Sequence, residues 1–386
     1  MKTDDQAYIT LQKHLDNQAV GFPSTRSGVE LKILKHIFTP QEAALAACLS
    51  YKPEPLETIF DKARHLVDTP EALRKALDRI QKKGGIEFRT KNGRRQYCCA
   101  PLVIGMYELQ LGRLTPEFIK DFNEYATSIK FGIEFLSTEL PQMRTIPISA
   151  SIDLRHNVST FDEVTTLLQQ AEEPFVIADC ICRKKRALEG KPCKVTDRTE
   201  TCLATGGVAE TVLDCGNGRA ISRDEALSIL ARNQKQGLVL QPSNTEAADF
   251  ICSCCGCCCG ILAVLKNLPR PLDFWASNFQ AAVNRDTCDG CGVCARKCPV
   301  GAVSVPDAMP HAIVNPNRCL GCGVCVSACP TGSISLSRKP TEVRPPRTRE
   351  DLYDIIMTKK KSRLEKLRLT GKLLVDAVRA GRTDLL

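Results

Sequence analysis

The chain has 386 residues, 43% apolar and 25% charged, with a formal net charge of +9. That length suits roughly two to four domains, and the composition is ordinary for chains that bury real cores. No apolar run approaches a membrane span, the start MKTDDQAYITLQ has no basic segment leading an apolar one, and 5% aromatics argues against a large aromatic ligand groove.

In chain order, residues 1–27 are polar without a clear period and read as a loose arm. A helical pattern begins with Val29, Leu31, Leu34, Ile37 and Phe38. Thr39-Pro40-Gln41-Glu42 opens a second helix, with Thr39 as N-cap and Glu42 at the capping-box position. A third helix follows Pro53-Glu54-Pro55. A fourth opens at Thr69-Pro70-Glu71-Ala72, runs through Leu73, Leu77 and Ile80, and stops at Gly84-Gly85. Two alternating runs, 86–90 and 94–99, flank a Lys-Asn-Gly turn and predict a hairpin. Helices followed by a basic hairpin resemble a winged-helix domain over residues 28–100. The resemblance implies either DNA contact through the wing (Arg89, Lys91, Arg94, Arg95) or a homodimerisation role. More helix follows to residue 140. Residues 141–178 read strand (145–148), helix (161–171), strand (174–178), and the last strand delivers Cys180. A helix at 222–233 interrupts a Cys- and Gly-rich stretch. Residues 338–350 read as a linker.

The outlier of the composition is cysteine, at 22, of which 19 lie between Cys180 and Cys329. With no export signal the chain is expected in the cytoplasm, where disulfides do not persist and dense cysteine means metal. Two runs share one spacing: Cys288-x-x-Cys291-x-x-Cys294-x-x-x-Cys298-Pro299 and Cys319-x-x-Cys322-x-x-Cys325-x-x-x-Cys329-Pro330. The offset of 31 also maps Gly290 and Gly292 onto Gly321 and Gly323. This internal duplication resembles the bacterial two-[4Fe-4S] ferredoxin module, at residues 278–337, within multi-cluster ferredoxin-like proteins of anaerobes. The resemblance implies one cluster on Cys288, Cys291, Cys294 and Cys329 and a second on Cys319, Cys322, Cys325 and Cys298. Zinc is the competing occupant, but its sites more often pair two C-x-x-C knuckles.

The remaining cysteines are Cys180, Cys182, Cys193, Cys202, Cys215, Cys252, Cys254, Cys255, Cys257, Cys258 and Cys259. A lone cysteine is usually a small buried apolar side chain. At this density ligation is the better account. The expected sets are a third cluster on Cys180, Cys182, Cys193 and Cys202, and a fourth drawn from Cys252–Cys259 with Cys215. Arg183 and Lys184-Lys185-Arg186 would offset cluster charge, or are simply a solvated face. Cys254-Cys255-Gly256 and Cys258-Cys259-Gly260 are similar to the Cys-Cys-Gly motifs of heterodisulfide-reductase-type subunits, which implies a catalytic non-cubane cluster. The later C-x-x-C of that pattern is, however, already part of the ferredoxin-like run. Cys48, Cys98 and Cys99 read as core, with at most one of the last two facing inward.

No P-loop, dinucleotide fingerprint, nucleophile elbow or flavin signature appears, and the five histidines (14, 36, 65, 156, 311) are scattered. Residues 351–382 read as one basic amphipathic helix, with nine Lys/Arg against two acids from Lys359 to Arg382. Such a helix suits an anionic membrane surface, at the inner face, or an acidic partner; a solvated helix packed on its own protein is the plain alternative. The fold expected is α+β and multidomain: arm 1–27, winged-helix-like and helical domain 28–140, Cys-rich iron–sulfur α/β domain 141–277, (βαβ)2-type ferredoxin domain 278–337, linker and basic amphipathic helical tail 338–386. The function expected is single-electron relay between [4Fe-4S] clusters to a redox partner protein. The alternatives are an oxidoreductase with a catalytic cluster in 180–260 and a redox-sensing DNA-binding regulator.

Overall fold

The computed structural model describes residues 3–148 and 162–381. They group into two units, residues 1–139, 204–220 and 353–369 in the first and residues 140–203, 221–352 and 370–386 in the second. Phe161, His156 and Arg382, named above, lie outside the described residues.

The first unit begins with α1 (Thr3–Asp16), where a loose arm was expected. The correction has a simple cause. Tyr8, Leu11, Gln12 and Leu15 recur at helical spacing and are all buried. The expected helices follow as α2 (Val29–Ile37) and α3 (Pro40–Ala46). The Thr39 cap of α3 carries a full capping box, with Glu42 reaching back to the Thr39 amide at 2.8 Å. Then come β1 (Glu54–Pro55), α4 (Leu56–Ala63), α5 (Pro70–Lys82), and the hairpin β2 (Ile86–Lys91) and β3 (Arg94–Cys99). The three strands form one antiparallel sheet in the order β1-β3-β2. Cys98 and Cys99 are both buried, so strand β3 is covered on both faces near its end, against expectation. Cys99 Sγ reaches the Ala46 and Leu49 carbonyls and lies 3.9 Å from His14 Nε2. Helices α6 (Pro116–Ala126) and α7 (Ile129–Leu136) complete this part.

The second unit holds α8 (Val164–Gln170), β4 (Phe175–Asp179), α9 (Ile181–Leu188) and β5 (Glu200–Thr205). The chain continues as α10 (Gly206–Asp214), β6 (Gly218–Ile221), α11 (Arg223–Lys235), β7 (Val239–Pro242), β8 (Phe250–Cys254) and α12 (Gly260–Asn267). Residues 204–220 group with the first unit rather than the Cys-rich domain expected to contain them. A five-stranded sheet runs β6-β4-β5-β8-β7. One face is sealed by Val164, Leu167, Leu168, Phe175, Leu203, Leu230 and Ile251.

The duplicated segment gives β9 (Phe279–Val283), α13 (Val293–Lys297), β10 (Val303–Ser304), β11 (Ile313–Val314), α14 (Val324–Ala328) and β12 (Ile334–Arg338). The repeat offset carries α13 onto α14. Each sheet mixes the halves, β9 with β12 and β10 with β11, both antiparallel. Gly321 adopts φ of 61°, and a Cβ there would meet the Phe279 carbonyl oxygen, so only glycine fits. The expected linker is pinned by Asn278, which binds the Val343 amide and carbonyl.

The tail is two helices, α15 (Arg349–Thr358) and α16 (Arg363–Arg379), not one. Ser362 and Glu365 form reciprocal cap bonds that start a new helix after the lysine run.

Candidate metal centres

The duplicated segment builds two thiol sets. Cys294 sits in the field of Cys288 and Cys329; Cys325 sits in that of Cys322, Cys319 and Cys298, with Cys294 the weakest of its thiol neighbours. The fourth cysteine of each run thus acts on the third cysteine of the other run. Glycine N-caps at positive φ, Gly292 and Gly323, start the short helices that carry the third cysteine of each run. Backbone amides face the sulfurs with the same symmetry. Ala281 N–H donates to Cys319 Sγ at 3.3 Å, and Ala312 N–H, 31 residues on, donates to Cys288 Sγ at 3.4 Å. Ala302 N–H donates to Cys298 Sγ at 3.1 Å. Amides aimed at sulfur favour thiolate and raise the potential of a thiolate-bound cluster.

The other cysteines partition differently from expectation. Cys193, Cys255, Cys257 and Cys258 form one compact set, their sulfurs all within 4.8 Å of one another. Cys193 lies 3.6 Å from Cys255 and 3.7 Å from Cys257. Leu238 backs this set with apolar surface. Burial pushes the Cys193 thiol up, but the amides of Val195 and Thr196, then Cys255 and Arg183, bring it down to about 6. Four soft donors, one already favouring thiolate, suit a tetrahedral thiolate metal centre, zinc or iron–sulfur.

Cys180, Cys182 and Cys202 join Cys252, Cys254 and Cys259 instead. Each of these thiols is shifted by two others: Cys180 by Cys182 and Cys202, Cys202 by Cys180 and Cys252, Cys252 by Cys202 and Cys254, Cys254 by Cys252 and Cys259, Cys259 by Cys182 and Cys254, and Cys182 by Cys180 and Cys259. The fold makes this ring. Strands β4, β5 and β8 are neighbours, and Cys180 ends the first, Cys202 sits in the second, and Cys252 and Cys254 share one face of the third. Cys180 caps α9 and Cys259 caps α12, so two helix N-termini point at the ring. Neighbouring thiols, Cys182 and Cys202 first, hold Cys180 well below its ordinary value. Cys202 and Cys254 bring Cys252 down to about 6.

Cys215 is absent from both sets. It ends α10 in the first unit, where its sulfur meets the Gln81 carbonyl at 3.2 Å and burial pushes its thiol up to about 12. Sequence spacing could not reveal this, because the intervening helix leaves the Cys-rich region.

Arg183 joins the two new sets. It is only 3% exposed, so it is not part of a solvated face. Its guanidinium donates to Thr201 Oγ1 and, at 2.9 Å, to the Ser253 carbonyl. Burial opposes its charge, yet Cys180 and Cys255, with Cys193 and Cys202, raise its pKa above the ordinary arginine value.

Gly256 links the four-thiol set to the duplicated segment. An added Cβ there would stand 3.1 Å from Pro299 Cα, so the loop between Cys255 and Cys257 touches the residue that follows Cys298. Beside this contact opens a cleft of about 840 Å³, lined by Cys257 and Cys298 and by Lys194, Lys235, Lys266 and Lys297. Among the described residues none of those four lysines forms an ion pair.

Residues 287–333 match the 4Fe-4S dicluster domain family. The segment is therefore a ferredoxin-like iron–sulfur module, and the chain carries multiple [4Fe-4S] clusters. A search of curated proteins returned no match. Among the described residues, no helix is long and apolar enough to cross a membrane.

Proposed function

We propose that the chain relays single electrons along a line of iron–sulfur centres. The line runs from the two ferredoxin cubanes, through a cubane on Cys193, Cys255, Cys257 and Cys258, to the six-thiol ring. The ligands of the ferredoxin cubanes are Cys288, Cys291, Cys294 and Cys329 for one, and Cys319, Cys322, Cys325 and Cys298 for the other. The observation that carries the reading is the Gly256–Pro299 contact, which sets two ligand loops backbone to backbone with no side chain between. Arg183 supports the next step, because one buried cation touches both remaining thiol sets. When bound, the clusters supply the one-electron chemistry. The chain positions their thiolates, excludes water and sets the local charge.

The partner proposed is an acidic electron carrier seated at the lysine-lined cleft, where Cys257 and Cys298 come to the surface. The tail is a poorer docking element. Lys360 donates to the Asp16 and Gln18 carbonyls and Lys366 pairs with Glu134, so these charges are spent within the chain. The order α3-β1-α4-α5-β2-β3 is that of a winged helix, proposed here as a scaffold. The cations of α5 and the wing do not favour DNA: Arg74 pairs with Glu71, Arg79 with Glu42, and Arg95 with Asp78 and Asp214.

The test is an EPR-monitored reductive titration of the anaerobically reconstituted chain. A relay requires neighbouring reduced clusters whose signals broaden by spin–spin interaction. Signals that merely add, with no mutual broadening at any stage, would defeat the proposal. A second reading, that the ring itself performs reductive chemistry, is favoured by its surplus of thiols. Substrate-dependent reoxidation of the reduced protein would distinguish it.

A further inference from the structure

The ring of Cys180, Cys182, Cys202, Cys252, Cys254 and Cys259 has more donors than a cubane accepts. A cubane takes four thiolates, one per iron. Two thiols left over would lie beside the cluster, unligated, although all six are buried or half-buried. No position in the ring is a natural outsider. Strand β5 supplies one sulfur, strand β8 two, the start of α9 two (Cys180 and Cys182) and the N-cap of α12 one, so the six arrive from four segments of chain.

A second observation points into the same place. Gln241 pairs with Cys252 across strands β7 and β8, so their side chains share a face of the sheet. Gln241 is fully buried, and neither its Nε2 nor its Oε1 has a partner among the described residues. Arg183 Nε, beside the ring, is likewise buried without a partner. Buried donors left unpaired are costly, and natural chains rarely keep them. An inorganic sulfide is an acceptor that both N–H groups can serve.

We infer that the six thiols together hold one iron–sulfur cluster of more than four irons, with all six cysteines as terminal ligands and with Gln241 Nε2 and Arg183 Nε as donors to its sulfides. The inference names what the last centre of the proposed line contains. It stands apart from the relay itself, because its readout is composition rather than electron transfer.

The experiment is anaerobic reconstitution of the full chain with ferrous iron and sulfide, followed by iron and sulfide analysis and Mössbauer spectroscopy. Three cubanes account for about 12 irons, and a fourth would make about 16. The expected total exceeds 16, with one Mössbauer component that belongs to no cubane. Each of the six single Cys→Ser variants is expected to reduce that component, whereas Cys193→Ser removes a cubane component and leaves it intact. The wild-type count decides the matter even if some variants fail to fold. A total of about 16 with only cubane components overturns the inference, as does wild-type iron and spectra in any two of the six variants, or zinc in the ring. Loss of spin coupling between centres with the iron total intact would instead count against the relay alone.

Discussion

The Cα of Pro299 lies 3.1 Å from where a Cβ of Gly256 would sit, and the Pro299 carbonyl oxygen lies 3.2 Å from the same point. Both near atoms are backbone, so neither can rotate aside. A larger residue at 256 must push the Cys255–Cys257 loop away from Cys298. Gly256→Val is expected to retain its iron, because no ligand changes, and to lose about 1–3 kcal/mol of stability through overpacking. Its electron equilibration between the ferredoxin cubanes and the four-thiol centre should slow. Rapid-freeze EPR after a pulse of limiting reductant measures this; unchanged kinetics at full iron would remove Gly256 from the path.

Arg183 places a buried positive charge against two thiol sets. Reduction adds negative charge to a cluster, so the cation stabilises the reduced form and raises the potential. Arg183→Gln should lower the potentials of the two centres it touches, by on the order of 100 mV or less for one unit charge at an effective dielectric of about 20. Arg183→Lys should lower them less, since it keeps the charge and loses the forked hydrogen bonds. Redox titration with EPR detection checks the order. The ferredoxin cubanes are expected to serve as the unmoved reference.

The cleft lysines Lys235 and Lys266 are not ligands, so reversing their charge leaves the thiol sets intact. Lys235→Glu with Lys266→Glu should cut the rate of electron exchange with an acidic carrier by about tenfold at low salt. The gap should close at high salt, because screening removes the steering that the variant has lost. Stopped-flow rates at two ionic strengths decide it. Equal rates at low salt would move the docking surface elsewhere.

Lys360 holds the turn between α15 and α16 by donating to two carbonyls of the α1 end and lying 3.7 Å from Glu134. Burial lowers its pKa even so, Glu134 working the other way. Lys360→Ala should destabilise the first unit by about 1–3 kcal/mol, because it leaves buried acceptors unpaired. The change should appear as a lower Tm, with cluster spectra unmoved in the folded protein. A tail whose main task was docking would show the reverse, no change in Tm and weaker partner or vesicle binding.

Local chemistry was legible wherever the signal is short in range. The Thr39–Glu42 capping box, the Asn-Gly hairpin and the 31-residue repeat are each contained in a few residues, and each appears where its sequence places it. The α1 helix was legible in principle from Tyr8, Leu11 and Leu15, but its polar neighbours hid the period.

What only tertiary structure decided is which thiols meet. Cys193 follows Cys182 by eleven residues, yet it stands with Cys255, Cys257 and Cys258, while Cys182 meets Cys259. Spacing along the chain ranks neighbours by contour length, whereas ligation depends on which strand ends lie side by side. The order β4-β5-β8 brings Cys180, Cys202 and Cys252 together from positions up to 72 residues apart. The same sheet order buries Arg183 beside the two sets, and α10 groups with the first unit, where Cys215 meets Gln81. Sequence determined that the chain holds several iron–sulfur centres, because thiolate density and the repeated motif need no fold to be read. The strand order determined which thiols lie near one another, because adjacency across a sheet brings Cys180, Cys202 and Cys252 side by side from distant segments.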